Sequence, residues 1–137
     1  MILLDTHVLV WAVEDDARLG RSAARLINAA SEAGELRFSA ITPWEIAMLV
    51  TRGRLALNQE IGAWFRTILA QPGVALLPIE PEIAIHAGQL PRSVHGDPAD
   101  RLIIATAHAA RCPLLTVDRM ILAYAKAGHL QAIDARL

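Results

Sequence analysis

Short apolar blocks separated by longer amphipathic stretches are the feature that most constrains this chain. Ile2-Leu3-Leu4, Leu36 to Ala40, Val74 to Leu77 and Leu114 to Val117 are each only a few residues long. Most of their apolar residues run consecutively rather than alternating, the pattern of strands covered on both faces. Helical segments lie between them, and parallel strands need such crossovers. The pattern predicts an α/β fold: a three-layer α/β/α sandwich with a mainly parallel central sheet.

Turn and capping signals place the helices. His7 to Val13 reads as a short helix, and Ser22 to Ala33 carries Ala23, Leu26, Ile27 and Ala30 on one face before stopping at Gly34. Thr42-Pro43-Trp44-Glu45 has the form of a capping box with proline at the first helical position, leading into Ile46 to Val50. Asn58 is the expected cap of a helix carrying Ile61, Trp64, Phe65, Ile68 and Leu69. Further helices are expected near Glu82 to Gln89, from Asp97-Pro98 through Ala107, and from about Arg119 to Ala127, with a last strand over Leu130 to Ile133. No repeat, low-complexity tract or linker divides the chain, so residues 1–137 are expected to form one domain.

Composition narrows the class. With 137 residues, 54% of them apolar and 20% charged, the chain can build a sizeable core without metals or disulfides. The lone Cys112 has no disulfide partner and no neighbouring Cys or His at structural-zinc spacing. No stretch approaches the roughly 20 apolar residues that span a bilayer. Met1 to Leu4 runs into Asp5 without a basic leader, so a soluble, cytoplasmic protein with no membrane partner is expected. The formal net charge of −1 gives no global attraction to a polyanion. Binding one would need local basic groups or a bound cation.

Four of the fourteen acids stand at unusual places. Asp5 and Asp118 each follow an apolar strand at its carboxyl end, where open α/β sheets collect ligands. Glu45 and Asp100 each fall about three residues into a helix opened by a capping signal. If those helices follow strands in βα order, all four meet at one edge. Carboxylates gathered there repel one another unless a cation offsets them, and an all-oxygen set favours Mg2+ or Mn2+ over zinc. Each acid also has a purely structural reading: Glu45 as the reciprocal member of the Thr42 box, Asp100 as a favourable charge at a helix N-terminus, Asp118 as an N-cap and Asp5 as a turn former. Asp97, immediately before Pro98, is the best N-cap signal in the chain and stands beside the site as a supporting residue or as a cap alone.

These residues sit in segments that together resemble the PIN domain, and within it the nuclease toxins of the bacterial VapBC toxin–antitoxin type. The segments are Leu3 to His7, Ser39 to Ile46, His95 to Ala105 and Leu115 to Arg119. Each is weak alone, but their order and spacing are specific and cover nearly the whole chain. The resemblance implies an α/β/α nuclease fold and Mg2+-dependent RNA cleavage, with Mn2+ able to substitute. It also implies a cognate antitoxin and a homodimer. On its pattern Asp5, Glu45, Asp100 and Asp118 fall on the family's catalytic, metal-holding site, the four that position alone selects. Thr6 and Thr116 adjoin strand-end acids and are either carboxylate partners or ordinary β-branched residues.

Arg52, Arg54, Arg92, Arg101 and Arg119 are the candidates for RNA-phosphate contacts. Arg101 and Arg119, next to proposed ligands, are the first choices, although pairing with those acids or plain solvation would also account for them. His7 and His95 lie near the site but are left outside the catalytic set. Trp11, Trp44 and Trp64 sit on apolar helices, where core packing is the expected role and base stacking the alternative. A non-catalytic RNA-binding or regulatory module of the same fold is the competing function. A phosphotransfer domain fits poorly, since Lys126 is the only lysine and lies late in the chain, near a predicted helix end.

Overall fold

The computed structural model describes residues 1–137, which form five strands and seven helices. In chain order these are β1 (Ile2–Leu4), α1 (Thr6–Val13), α2 (Arg21–Glu32), β2 (Leu36–Ser39), α3 (Ile41–Thr51), α4 (Ile61–Leu69) and β3 (Val74–Leu77). Then follow α5 (Pro81–Gln89), α6 (Pro98–Ala110), β4 (Leu114–Thr116), α7 (Arg119–Lys126) and β5 (Ala132–Asp134). All strand pairs are parallel, in the order β3-β2-β1-β4-β5. After β1 the chain builds outward through β2 and β3 on one side, then returns to lay β4 and β5 on the other. The order therefore reverses between β1 and β4, which opens a crevice at their carboxyl ends.

Strand alternation divides the core between the two faces of this sheet. Leu4 and Leu115, paired across β1 and β4, join Val8, Ile27, Phe38, Ile46 and Trp64 on one face. Leu3 and Leu114 join Ile103, Ile104 and Ile121 of α6 and α7 on the other. The three-layer arrangement expected from the apolar blocks is thus present. A smaller cluster of Ile83, Ala87 and Ala105 ties α5 to α6. Gly73 enters β3 at φ +86°, and a Cβ there would lie 1.9 Å from the Ser31 carbonyl oxygen, so only glycine lets this edge strand meet α2.

Two capping expectations are corrected. Helix α3 begins at Ile41, before Thr42, and Ser39 Oγ accepts from the Ile41 amide at 3.1 Å. Thr42 is therefore inside the first turn, buried, with its hydroxyl spent on Thr6 rather than on a cap. Pro43 is the third helical residue, where no N–H bond is lost. For α4 the cap is Glu60 rather than Asn58: its two carboxylate oxygens accept from the Gly62 and Ala63 amides at 2.8 and 2.9 Å. Of the three tryptophans, Trp64 and Trp11 are buried as expected, but Trp44 is exposed on α3. No helix is long and apolar enough to cross a membrane.

Candidate active site

The acids assemble around the β1/β4 reversal because three of them are strand-end residues or helix caps at that edge. Asp5 follows β1 and caps α1, accepting from the Thr6 amide at 2.7 Å. Asp118 follows β4 and caps α7 through a 3.0 Å bond from the Ile121 amide. Asp97 caps α6, accepting from the Ala99 and Asp100 amides at 2.8 and 3.2 Å, and so aims the first turn that carries Asp100. Glu45 reaches the same place from α3 and is buried there. Carboxylate oxygens of Glu45, Asp97 and Asp100 lie within 4.8 Å of one another, as do ligand atoms of His95, Asp100 and Asp118. Asp100 belongs to both groups and joins them.

Hydroxyls hold the deeper acids. Thr6 Oγ1 donates to Glu45 Oε1 at 2.6 Å. A hydroxyl has one proton, so the 3.1 Å contact between Thr42 and Thr6 must run from Thr42 to Thr6. Thr116 Oγ1 donates to Asp5 Oδ2 at 2.5 Å while accepting from the Asp118 amide at 3.0 Å. Both threonines thus bond carboxylates of the cluster, Thr6 that of Glu45 on α3 and Thr116 that of the strand-end Asp5.

The electrostatics are uneven. Burial foremost, together with the charges of Asp5, Asp97, Glu45 and Asp118, pushes the Asp100 carboxyl up to about 8. Burial also raises Asp5 and Glu45, against the lowering effect of Thr116 and Thr6 respectively. Asp118 goes the other way: burial works to raise it, but hydrogen bonds from His95 and the Ile121 amide bring it below its ordinary value. No lysine or arginine pairs with any of these carboxylates; the arginine ion pairs of the protein are Arg18–Asp16, Arg66–Glu60 and Arg136–Asp134. The proton that Asp100 holds, or a bound cation, would relieve the gathered charge. The donors suit a hard divalent cation, being carboxylate oxygens with room for water beside Asp97, which is exposed.

Arg101 is not free to meet a phosphate. Its five N–H groups go to the carbonyls of Ala87, Pro91, His95, Gly88 and Leu90, at distances that include 3.0 Å to Ala87 and 2.9 Å to His95. It pins the end of α5 and the loop that leads to α6, a job sequence could not reveal because the acceptors are main-chain atoms. Arg119, Arg52, Arg54 and Arg92 are exposed. Arg92 shares with His95 and Pro98 the lining of a cavity of about 720 Å3. His95, set aside from sequence, is buried between two acids, with Nε2 2.9 Å from Asp118 Oδ2 and 3.4 Å from Asp100 Oδ2. The signal available for it was its position two residues ahead of the α6 cap. His7 is exposed, yet its charge acts to lower Asp5 and Glu45. An apolar groove lined by Pro43, Ala47, Ile61, Phe65 and Leu69 runs between α3 and α4.

Comparison with known proteins gives a consistent picture. The PIN domain family model matches residues 2–134. Ribonuclease VapC22 of Mycobacterium tuberculosis is 37% identical over 120 residues, 88% of this chain and 88% of that protein. Among solved structures, VapBC2 from Rickettsia felis, bound to a DNA fragment from its promoter, superposes with a TM-score of 0.69 at 15% identity over 97% of this chain and 98% of that one. VapBC-1 from nontypeable Haemophilus influenzae gives 0.67 at 16% identity over the full length of both. At such identities the superpositions establish the fold.

Proposed function

Because the chain belongs to the PIN-domain family, we propose that it is a Mg2+- or Mn2+-dependent endoribonuclease, the toxin of a type II toxin–antitoxin pair. The observation that carries this reading is the gathering of Asp5, Glu45, Asp100 and Asp118 at the β1/β4 crevice without a lysine or arginine partner, where burial foremost and the neighbouring carboxylates hold Asp100 near 8. In this reading residues 1–137 act as one cytoplasmic nuclease domain, and those four residues would hold the cation, with Asp97 supporting Asp100. When bound, such a cation supplies Lewis-acid chemistry, offsetting charge on the scissile phosphate and making water a stronger acid.

The chain's own residues supply positioning. Glu45 and Asp5 are locked by Thr6 and Thr116, so their oxygens need little reordering to meet a ligand. Helices α1, α6 and α7 all begin at the acids, and their N-termini favour a phosphate drawn to that edge. Arg119, exposed beside Asp118, is the nearest free candidate in sequence for a phosphate contact, with Arg92 next. The α3/α4 groove, flanked in sequence by exposed Trp44, is suited to an apolar antitoxin segment. A homodimer completes the expected assembly.

The test is RNA cleavage by purified protein in Mg2+, Mn2+ or chelator, run beside folded Asp5→Asn and Asp100→Asn variants. Cleavage that stops with chelator and in both variants supports the reading. Chelator-insensitive cleavage overturns it, and tight RNA binding without turnover assigns the chain to the non-catalytic alternative.

A further inference from the structure

His95 has a defined hydrogen-bonding state that follows from which atoms surround its ring. The Asp97 backbone amide points at Nδ1 from 3.0 Å. An amide can only donate, so Nδ1 must accept and the ring proton must sit on Nε2. That Nε2–H is directed at Asp118 Oδ2, 2.9 Å away, with Asp100 Oδ2 at 3.4 Å. For Nε2 to bind a cation instead, the proton would have to move to Nδ1, where it would face the Asp97 N–H. The ring is therefore a donor to the acids and not one of the ligands.

Its placement is built from several directions. Arg101 holds the His95 carbonyl at 2.9 Å and pins the preceding loop, while the amide that fixes the ring belongs to the α6 cap residue. Asp118 Oδ1 is already engaged by the Ile121 amide, so the imidazole takes the second oxygen and settles the carboxylate's rotation. We propose that His95 is a positioning residue for this acidic centre: held by the Asp97 amide, its Nε2–H orients Asp118 and sets the separation at which Asp118 and Asp100 meet a divalent cation. The inference rests on the metal-dependent reading above.

Two substitutions divide the ring's functions. In His95→Gln the side-chain amide nitrogen stands near the position of Nε2 and keeps the donor to Asp118. In His95→Asn the side-chain oxygen stands near Nδ1 and keeps the bond from Asp97 while losing that donor. Mn2+ affinity is measured by calorimetry on folded wild-type and variant protein, with kcat and KM for RNA alongside. His95→Asn is expected to weaken Mn2+ binding by about tenfold or more, the scale of lost outer-shell partners, and His95→Gln to recover most of it, to within about threefold of wild type. If His95→Asn matches wild type, or His95→Gln is as poor as His95→Asn, the ring merely anchors the loop and the proposal is overturned. Ring 15N spectra of the unmutated protein test the hydrogen bond on which the proposal rests if a variant does not fold: a protonated Nε2 supports the proposal and a protonated Nδ1 overturns it. Wild-type protein that binds no Mn2+ would instead overturn the proposed function, and the ring spectra would still decide the hydrogen bond.

Discussion

The two sides of the acidic centre are held by different means. Asp5 and Glu45 lie deep and are fixed by threonine hydroxyls, whereas Asp118 sits at a helix N-terminus under an imidazole and Asp100 lies between the two sides. The hydroxyls compensate burial only in part, so Asp5 and Glu45 stay raised, while the imidazole and helix amides take Asp118 below its ordinary value. Asp118 is thus ionised with the help of those donors, whereas Asp100 holds its proton to about 8. The lesson is that one cluster can keep a readily ionised carboxylate beside one that holds its proton.

Removing Asp100 is the strongest way to break this contrast. Asp100→Asn is expected to lower Mn2+ affinity by at least about 100-fold, the upper range for loss of outer partners, since a ligand itself is lost. The same substitution should stabilise the metal-free protein at neutral pH, because asparagine needs no proton taken up on folding, as Asp100 does. Calorimetric titration and urea unfolding read the two effects.

Next comes pH. Asp100 holds its proton to about 8 when folded and to about 3.8 in its ordinary state. Between those values the folded protein carries the extra proton, so metal-free stability falls as pH rises from about 4 to about 8. Asp5 and Glu45, also raised, add to that slope in the same direction. Urea midpoints across this window should decline, and saturating Mn2+ or Asp100→Asn should flatten the decline. A slope that rises with pH would contradict the account.

Thr6→Val sharpens the deep side. It leaves buried Glu45 without its donor and Thr42 without its acceptor, a loss on the order of 1–3 kcal/mol, visible in urea unfolding, with weaker Mn2+ binding. The smallest effect is expected at Arg119: its change to Ala should reduce the salt dependence of RNA binding by about 0.7 in slope, one phosphate contact on a single strand. Filter binding across ionic strength measures it.

What sequence revealed here was local. Apolar blocks ended at Asp5 and Asp118 because strand termination and helix capping are signalled within a few residues, and that placed both acids at the carboxyl edge before any strand order was known. The order itself, with β4 returning beside β1, depends on non-local pairing and left no trace in the pattern. At Thr42 the local capping signal loses to a tertiary partner, because Thr6 takes the hydroxyl. Glu60 caps in place of Asn58 because its longer side chain folds back and offers both oxygens to the first turn. Arg101 and His95 were hidden for a related reason: their partners include main-chain atoms of a loop whose path no residue type announces.

The most direct measurement is anomalous scattering from crystals of the protein grown with Mn2+. The account predicts a manganese peak between the carboxylates of Asp5, Glu45, Asp100 and Asp118, with the His95 ring outside the coordination sphere. Manganese bound elsewhere, with that crevice holding only water in protein that still cleaves RNA, would contradict it.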